Sequence, residues 1–244
     1  VIICSGEQTA ITPASMYDEM VKTFQKNGAY YVEKPEEINA LRDCIFPGGK
    51  MNKDAVGQSA LRIAEMAHLN VPADTQVLLV KVEKAGAGEA FSKEKMCPCI
   101  AAYSYDKWED AVAIANANLN VEGKGHSVCI HSNNDAHIDY AAEILPVSRF
   151  LINQVCSTNN GGSFFNSLSA TTTLGCGSWG NNSISENLTH EASRRKESKK
   201  DRGGSSIRRD PFPAFSRAAQ PETGGNRYEN RIRLRQGRAG RRDP

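Results

Sequence analysis

With 244 residues, 39% of them hydrophobic and 24% charged, the chain is long enough to bury one large core or two small ones and too apolar to be disordered throughout. No run of about 18 apolar residues occurs, which excludes a membrane-spanning helix. The net charge of +2 hides a split: residues 1–190 carry 14 Lys+Arg against 21 Asp+Glu, whereas residues 191–244 carry 16 against 7.

Val1-Ile2-Ile3 reads as a short apolar strand that delivers Cys4 into a small polar turn, Ser5-Gly6-Glu7-Gln8. No initiator Met and no leader precede it, so the chain is expected to be a piece of a longer one. Thr12-Pro13-Ala14-Ser15 predicts a helix start with a hydroxyl N-cap and a first-turn proline. Tyr17, Met20, Val21 and Phe24 then share one face before Gly28 ends the helix. Ala29 to Val32 reads as a strand, and Pro35 to Leu41 opens a second helix with acids in its first turn, where they suit the helix dipole. Val56, Ala60, Ile63 and Ala67 form the stripe of a third helix, followed after Pro72 by a buried-type strand from Gln76 to Val82.

The pattern repeats. A strand from Ile100 to Tyr103 leads through Asp106 as N-cap into a helix with Trp108, Ala111, Val112 and Ala115 on one side. A strand from Ser127 to His131 leads through Asn134 or Asp135 into a helix with Ile138, Ala141, Ala142 and Leu145, and a last strand spans Phe150 to Gln154. Continuous apolar strands alternating with helices predict an α/β fold, a parallel sheet covered on both faces. In such sheets ligands collect at the carboxyl ends of strands, where Cys4, Glu94 and the loop before Ser127 are expected. Residues 156–190, rich in Gly, Ser, Thr and Asn, predict one long loop.

Beyond it the composition changes. The first 190 residues contain three arginines, Arg42, Arg62 and Arg149, and the last 54 contain 13. Residues 191–244 lack strand or helix periodicity and are expected to be a disordered basic tail, foreign in composition to the body and consistent with a shifted reading frame. An alternative of another class is an Arg-rich arm, such as Arg231-Ile232-Arg233-Leu234-Arg235, that neutralises nucleic-acid phosphates. Seven scattered cysteines without a secretory leader point to a reducing cytoplasm. Cys97-Pro98-Cys99 lacks zinc-ligand spacing, and no metal site is expected.

Cys4, after a strand and before small residues, is open to substrate, with local amides able to face a developing oxyanion. A packed structural cysteine accounts for that pattern as well. Four motifs in order narrow the choice: Ile3-Cys4-Ser5-Gly6-Glu7-Gln8; Lys93-Glu94-Lys95-Met96-Cys97-Pro98; Gly123-Lys124-Gly125-His126; and Thr173-Leu174-Gly175-Cys176-Gly177-Ser178-Trp179-Gly180 continuing through Ile184-Ser185-Glu186-Asn187. Together they resemble the CoA-acylating aldehyde dehydrogenases from Val1 to about His190. The nearest likeness is to the succinate-semialdehyde enzymes, and the aldehyde end of bifunctional aldehyde-alcohol dehydrogenases is also similar.

That resemblance implies an α/β catalytic domain of the aldehyde dehydrogenase superfamily over residues 1–190, with residues 191–244 as tail. It implies NAD or NADP as cofactor, coenzyme A as co-substrate and a small aldehyde or its acyl-CoA as substrate. Cys4 matches the catalytic cysteine that forms a thiohemiacetal and then a thioester; a thiolate is both nucleophile and leaving group. Glu94 matches the acid that holds the nicotinamide ribose hydroxyls, against the alternative of a solvated glutamate between two lysines. His126 matches the candidate for polarising thiol exchange with CoA, against a packing histidine. Gly175 and Gly177 let the long loop approach Cys4 or the nicotinamide, with Trp179 as an anchor and Cys176 packed. The family's dinucleotide-binding half precedes the cysteine and is absent here, so this chain alone is expected to be inactive and its full-length parent to form homo-oligomers. A hydrolytic aldehyde dehydrogenase that releases free acid is the remaining alternative within the class.

Overall fold

Four short apolar segments pair side by side in a computed structural model that describes residues 3–164, residues 166, 168, 170 and 176, and the segment 214–217. These are β1 (Thr9–Pro13), β2 (Ala29–Val32), β3 (Val77–Lys81) and β4 (Cys99–Tyr105), in the order β1-β4-β3-β2 and all parallel. Parallel strands need crossovers, which here are α1 (Tyr17–Lys26), α2 (Pro35–Ile45) and α3 (Ala60–Met66). The strand period of two explains why β3 is apolar almost throughout. Leu78 and Val80 pack with Leu41, Ile45 and Ile63 of α2 and α3, whereas Leu79 packs with Val21, Met20 and Phe24 of α1. Leu78, Leu79 and Val80 are fully buried, each contributing about 1.5–3 kcal/mol by transfer from water.

Helix α4 (Trp108–Val121) links this sheet to a second one. There β5 (Gly125–Ile130) and β6 (Val147–Ile152) pair in parallel around the crossover α5 (Asp135–Ile144). Val112, Ile130, Ile138, Ala141, Leu145, Phe150 and Ile152 form its core. Asn134 caps α5, its Oδ1 accepting from the Ala136 and His137 amides at 3.0 and 3.4 Å. After β6 comes α6 (Cys156–Asn159), and β7 (Ala214–Arg217) extends the sheet in parallel on β6.

The expected parallel α/β fold is the observed one, with local corrections. Ile3 is an exposed residue at the start of a turn, not part of a strand; Val1 and Ile2 lie outside the described residues. Thr12 and Pro13 close β1 instead of opening a helix, because both are in register with Ser104 and Tyr105 of β4. A 3₁₀ turn at Ala14–Met16 intervenes before α1, which has no side-chain cap. Asp106 is not the cap of α4: the N-cap is Lys107, whose amide donates to Asp110 Oδ2 at 3.3 Å. In the tail, Ala214–Arg217 is a strand; the rest of residues 191–244, including the arginine run considered for nucleic acid, lies outside the described residues.

Candidate active site

Cys4 is exposed at the tip of a turn closed by a 2.9 Å bond from the Gly6 amide to the Ile3 carbonyl. Ser5 beside it is buried, and its Oγ has no partner among the described residues. Beyond the turn Gln8 makes three bonds that set its position. Its carbonyl accepts from the Ala101 amide at 3.1 Å and from Lys95 Nζ at 2.9 Å, while its side-chain Oε1 accepts from the Lys95 amide at 3.0 Å. Lys95 Nζ also donates to the Lys93 carbonyl at 3.0 Å. The cysteine turn and the Lys93–Lys95 segment are thus tied together at the edge where β1 and β4 begin. Lys95 is fully buried, and the loss of hydration pushes its amine down to about 8.

Glu94 is half-buried in this clamp. Its amide donates to Glu122 Oε2 at 3.0 Å, and no described group hydrogen-bonds to its carboxylate. Burial raises its pKa first and the Glu122 charge second, with Lys95 opposing. Cys176 is raised by burial and further by Cys4 and Glu94, so this cysteine of the long loop stands within electrostatic reach of both. Gly175 and Gly177 on either side of it lie outside the described residues.

A second tie joins the turn to the other sheet. Glu7 Oε1 accepts from the Cys156 amide at 2.8 Å and the Ser157 amide at 3.3 Å, satisfying donors that the first turn of α6 leaves free. Asn153 makes the sharp turn before α6 with a positive φ of 55°, held by paired bonds to the Ser132 backbone at 2.9 and 3.0 Å.

His126 begins β5. Its Nδ1 is 2.9 Å from Ser127 Oγ, and its buried Nε2 has no partner among the described residues. Burial lowers its pKa and the Arg149 charge lowers it further, so the ring is neutral at neutral pH. No hydrogen bond joins it to Cys4. Cys176 therefore lies within electrostatic reach of Cys4 and Glu94, while His126 belongs to a separate group with Ser127 and Arg149.

The expected position at carboxyl ends of strands is corrected for Glu94 and for the loop before Ser127 that holds His126. Cys4 and Glu94 precede β1 and β4, and His126 opens β5, so each lies at an amino end. For Cys4 the expectation rested on a strand from Val1 to Ile3, of which Val1 and Ile2 lie outside the described residues. Two surface hollows of about 200 and 470 Å³ lie along α1; the larger reaches Lys81 and Ser104 near the carboxyl ends of β3 and β4, and neither contains a candidate residue.

Glu7, Gln8 and Lys95 had no assigned role from sequence. A charged lysine between Lys93 and Met96 gives no local sign of burial, and the contacts of Gln8 and Glu7 span 87 and 149 residues. Among the described residues no cluster of three or more His, Cys, Asp or Glu could hold a metal, and no helix is long and apolar enough to cross a membrane.

Over 190 residues, 78% of this chain, the sequence is 50% identical to an acetylating succinate-semialdehyde dehydrogenase from Clostridium kluyveri. The chain belongs to the acylating aldehyde dehydrogenases. It spans 42% of that relative's length. A bifunctional aldehyde-alcohol dehydrogenase from Escherichia coli is 37% identical over 191 residues, 77% of this chain and 21% of that protein. Among solved structures, an acetylating aldehyde dehydrogenase from Geobacillus thermoglucosidasius superposes with a TM-score of 0.72 at 30% identity, over 79% of this chain and 42% of that one. Two further solved structures share the fold at 23% identity: an engineered glycolyl-CoA reductase with bound NADP+, at a TM-score of 0.61 over 79% of this chain and 41% of that one, and a Rhodopseudomonas palustris propionaldehyde dehydrogenase with bound propionyl-CoA, at 0.58 over 70% and 37%. No protein-family model matches the chain.

Proposed function

We propose that this chain carries the nucleophile-bearing part of an enzyme that interconverts an aldehyde and its acyl-CoA through a thioester on Cys4, using NAD or NADP and coenzyme A. The observation that carries the reading is the exposed thiol on a turn clamped through Gln8 and Lys95 to Glu94. Cys4 sulfur adds to the aldehyde carbon to give a thiohemiacetal, and oxidation leaves a thioester on the same sulfur. A bound nicotinamide supplies the hydride acceptor for that oxidation. The half-buried, unpaired carboxylate of Glu94 suits two ribose hydroxyls, so the residues present fit the cofactor. The CoA thiol then takes the acyl group, and neutral His126 is able to accept its proton. The 50% identity to an acetylating succinate-semialdehyde dehydrogenase favours succinate semialdehyde and succinyl-CoA over acetaldehyde and acetyl-CoA. Gly175 and Gly177 are assigned to cofactor binding in the same reading, supported by their place in sequence beside Cys176, which lies within electrostatic reach of Cys4 and Glu94.

Acyl exchange tests the reading without a nicotinamide. Incubation of the full-length protein with succinyl-CoA is expected to add one succinyl group to Cys4, seen by peptide mass, with acetyl-CoA reacting more slowly. No label on Cys4, or the same label in the Cys4→Ala variant of that protein, refutes it. Aldehyde oxidation with and without CoA by the full-length protein separates acyl-CoA formation from release of free acid. A cytoplasmic setting goes with the reading, supported by seven free cysteines. Homo-oligomerisation of the full-length protein belongs to it as well and is checked by mass in solution.

A further inference from the structure

Glu94 lies in the connection from β3 to β4, and the end of α4 holds that connection at two points. Near its start the Gly86 amide donates to Asn118 Oδ1 at 3.1 Å and to Ser92 Oγ at 2.9 Å. Both acceptors belong to buried residues. A Cβ at Gly86 would stand 3.2 Å from that of Ala117, so the chain lies directly on the helix there. Near its end the Glu94 amide donates to Glu122 Oε2 at 3.0 Å. Glu122 follows the last residue of α4, and its own amide bonds to the Asn118 carbonyl at 3.2 Å. The stretch from Gly86 to Glu94 is therefore gripped at both ends by groups one helical turn apart.

The stability of α4 does not account for Glu122. A carboxylate at the C-terminus of a helix meets the negative end of the macrodipole, and Glu122 makes no salt bridge among the described residues. It also stands near a second carboxylate, that of Glu94, whose pKa is raised by burial first and by Glu122 second. What Glu122 gains is the charge-assisted bond from the Glu94 amide. The Glu94 carboxylate has no hydrogen-bond partner among the described residues, so its place follows from its main chain. That main chain is held by Glu122 at the Glu94 amide and by the Gln8 clamp at the Lys95 amide.

We propose that Glu122 is a positioning residue for the cofactor: it holds the Glu94 main chain so that the carboxylate meets both nicotinamide ribose hydroxyls, in the role proposed above for Glu94. Acting through Glu94, it bears on dinucleotide binding and leaves acyl exchange at Cys4 to the Lys95 clamp.

The test compares variants of the full-length protein by amide hydrogen exchange without ligand, by fluorescence titration with NADH and NADPH, and by the rate at which succinyl-CoA acylates Cys4 without nucleotide. Glu122→Ala is expected to speed exchange at the Glu94 amide about tenfold and to weaken dinucleotide binding about tenfold, as loss of one bond to a charged acceptor implies, with Cys4 acylation within about twofold of the native rate. Glu122→Gln keeps an acceptor oxygen and removes the charge beside Glu94, so exchange and binding stay within about twofold of the native values. Glu94→Gln weakens binding, and adding Glu122→Ala to it changes little more, because both act through one carboxylate. Binding unchanged in Glu122→Ala but weakened in Glu94→Gln overturns the positioning role alone. Binding unchanged in Glu94→Gln overturns the cofactor role of Glu94 and the positioning role with it. Slowed acylation of Cys4 in Glu122→Ala, or a glutamine variant as impaired as the alanine one, marks a general structural role and overturns the proposal as well.

Discussion

Replacing Glu7 with alanine removes the acceptor of two amides that begin α6, bonded at 2.8 and 3.3 Å. Cys156 is only 6% exposed, so its amide has little access to water as a substitute. A capping oxygen is worth about 0.5–2 kcal/mol, and an orphaned buried donor costs about 1–3 kcal/mol. The Ser157 bond is long and adds little, which sets the expected cost of Glu7→Ala near 1.5 kcal/mol. Glu7→Gln keeps a carbonyl oxygen in place and loses only the interaction of charge with the helix end, about 0.3–1 kcal/mol. Helix α6 has four residues, so the loss is local. Amide hydrogen exchange is therefore the sensitive assay, with protection at residues 156 and 157 falling about tenfold in the alanine variant and about two- to fivefold in the glutamine variant. The reasoning is refuted if glutamine costs as much as alanine, or if exchange accelerates along β6 while α6 is unchanged.

Burial lowers Lys95 to about 8 from an ordinary value near 10.5 in the unfolded chain, so the charged form is penalised on folding. That penalty is complete below pH 8 and is relieved as pH rises to about 10.5, amounting to about 3 kcal/mol; the difference in urea midpoint between the native chain and Lys95→Met should narrow or change sign across that window, and a constant difference contradicts it. His126 is also lowered, so the stability due to keeping it neutral is present above pH about 6.5 and declines as pH falls through its folded value. Acid melting should accordingly be shallower in His126→Gln, measured by thermal midpoints between pH 7.5 and 5.5. Glu89 accepts from Arg42 Nε at 3.1 Å and Nη2 at 3.0 Å and from the Phe91 amide at 2.9 Å, and Arg42 stacks 5.1 Å from the Phe91 ring centre. Glu89→Ala should cost about 2–3 kcal/mol in chemical unfolding and Arg42→Ala less, because only the former also orphans a backbone donor; the reverse order contradicts this account.

Strands such as Ala29–Val32 and Val77–Lys81 were legible because a parallel sheet covered on both faces leaves a near-continuous apolar run. Helix faces such as that of Met20, Val21 and Phe24 follow equally from period. The errors have local physical causes. Pro13 lacks an amide hydrogen, which suits the last residue of a strand as well as the first turn of a helix, and only pairing with Tyr105 distinguishes them. Helix α6, Cys-Ser-Thr-Asn, has poor intrinsic propensity and is held from outside by a carboxylate 149 residues away. Cys4 and Glu94 were visible as motif residues, but the buried lysine that joins their segments reads in sequence as one more surface charge.

The Gln8–Lys95 clamp has a bearing on transplantation. A turn and an acid locked to each other by two bonds within one piece of chain behave as a preset gauge: the spacing of the two segments travels with residues 4–95. Grafted as one piece into another chain, the segment would keep that spacing, whereas a single change at Gln8 would detune it.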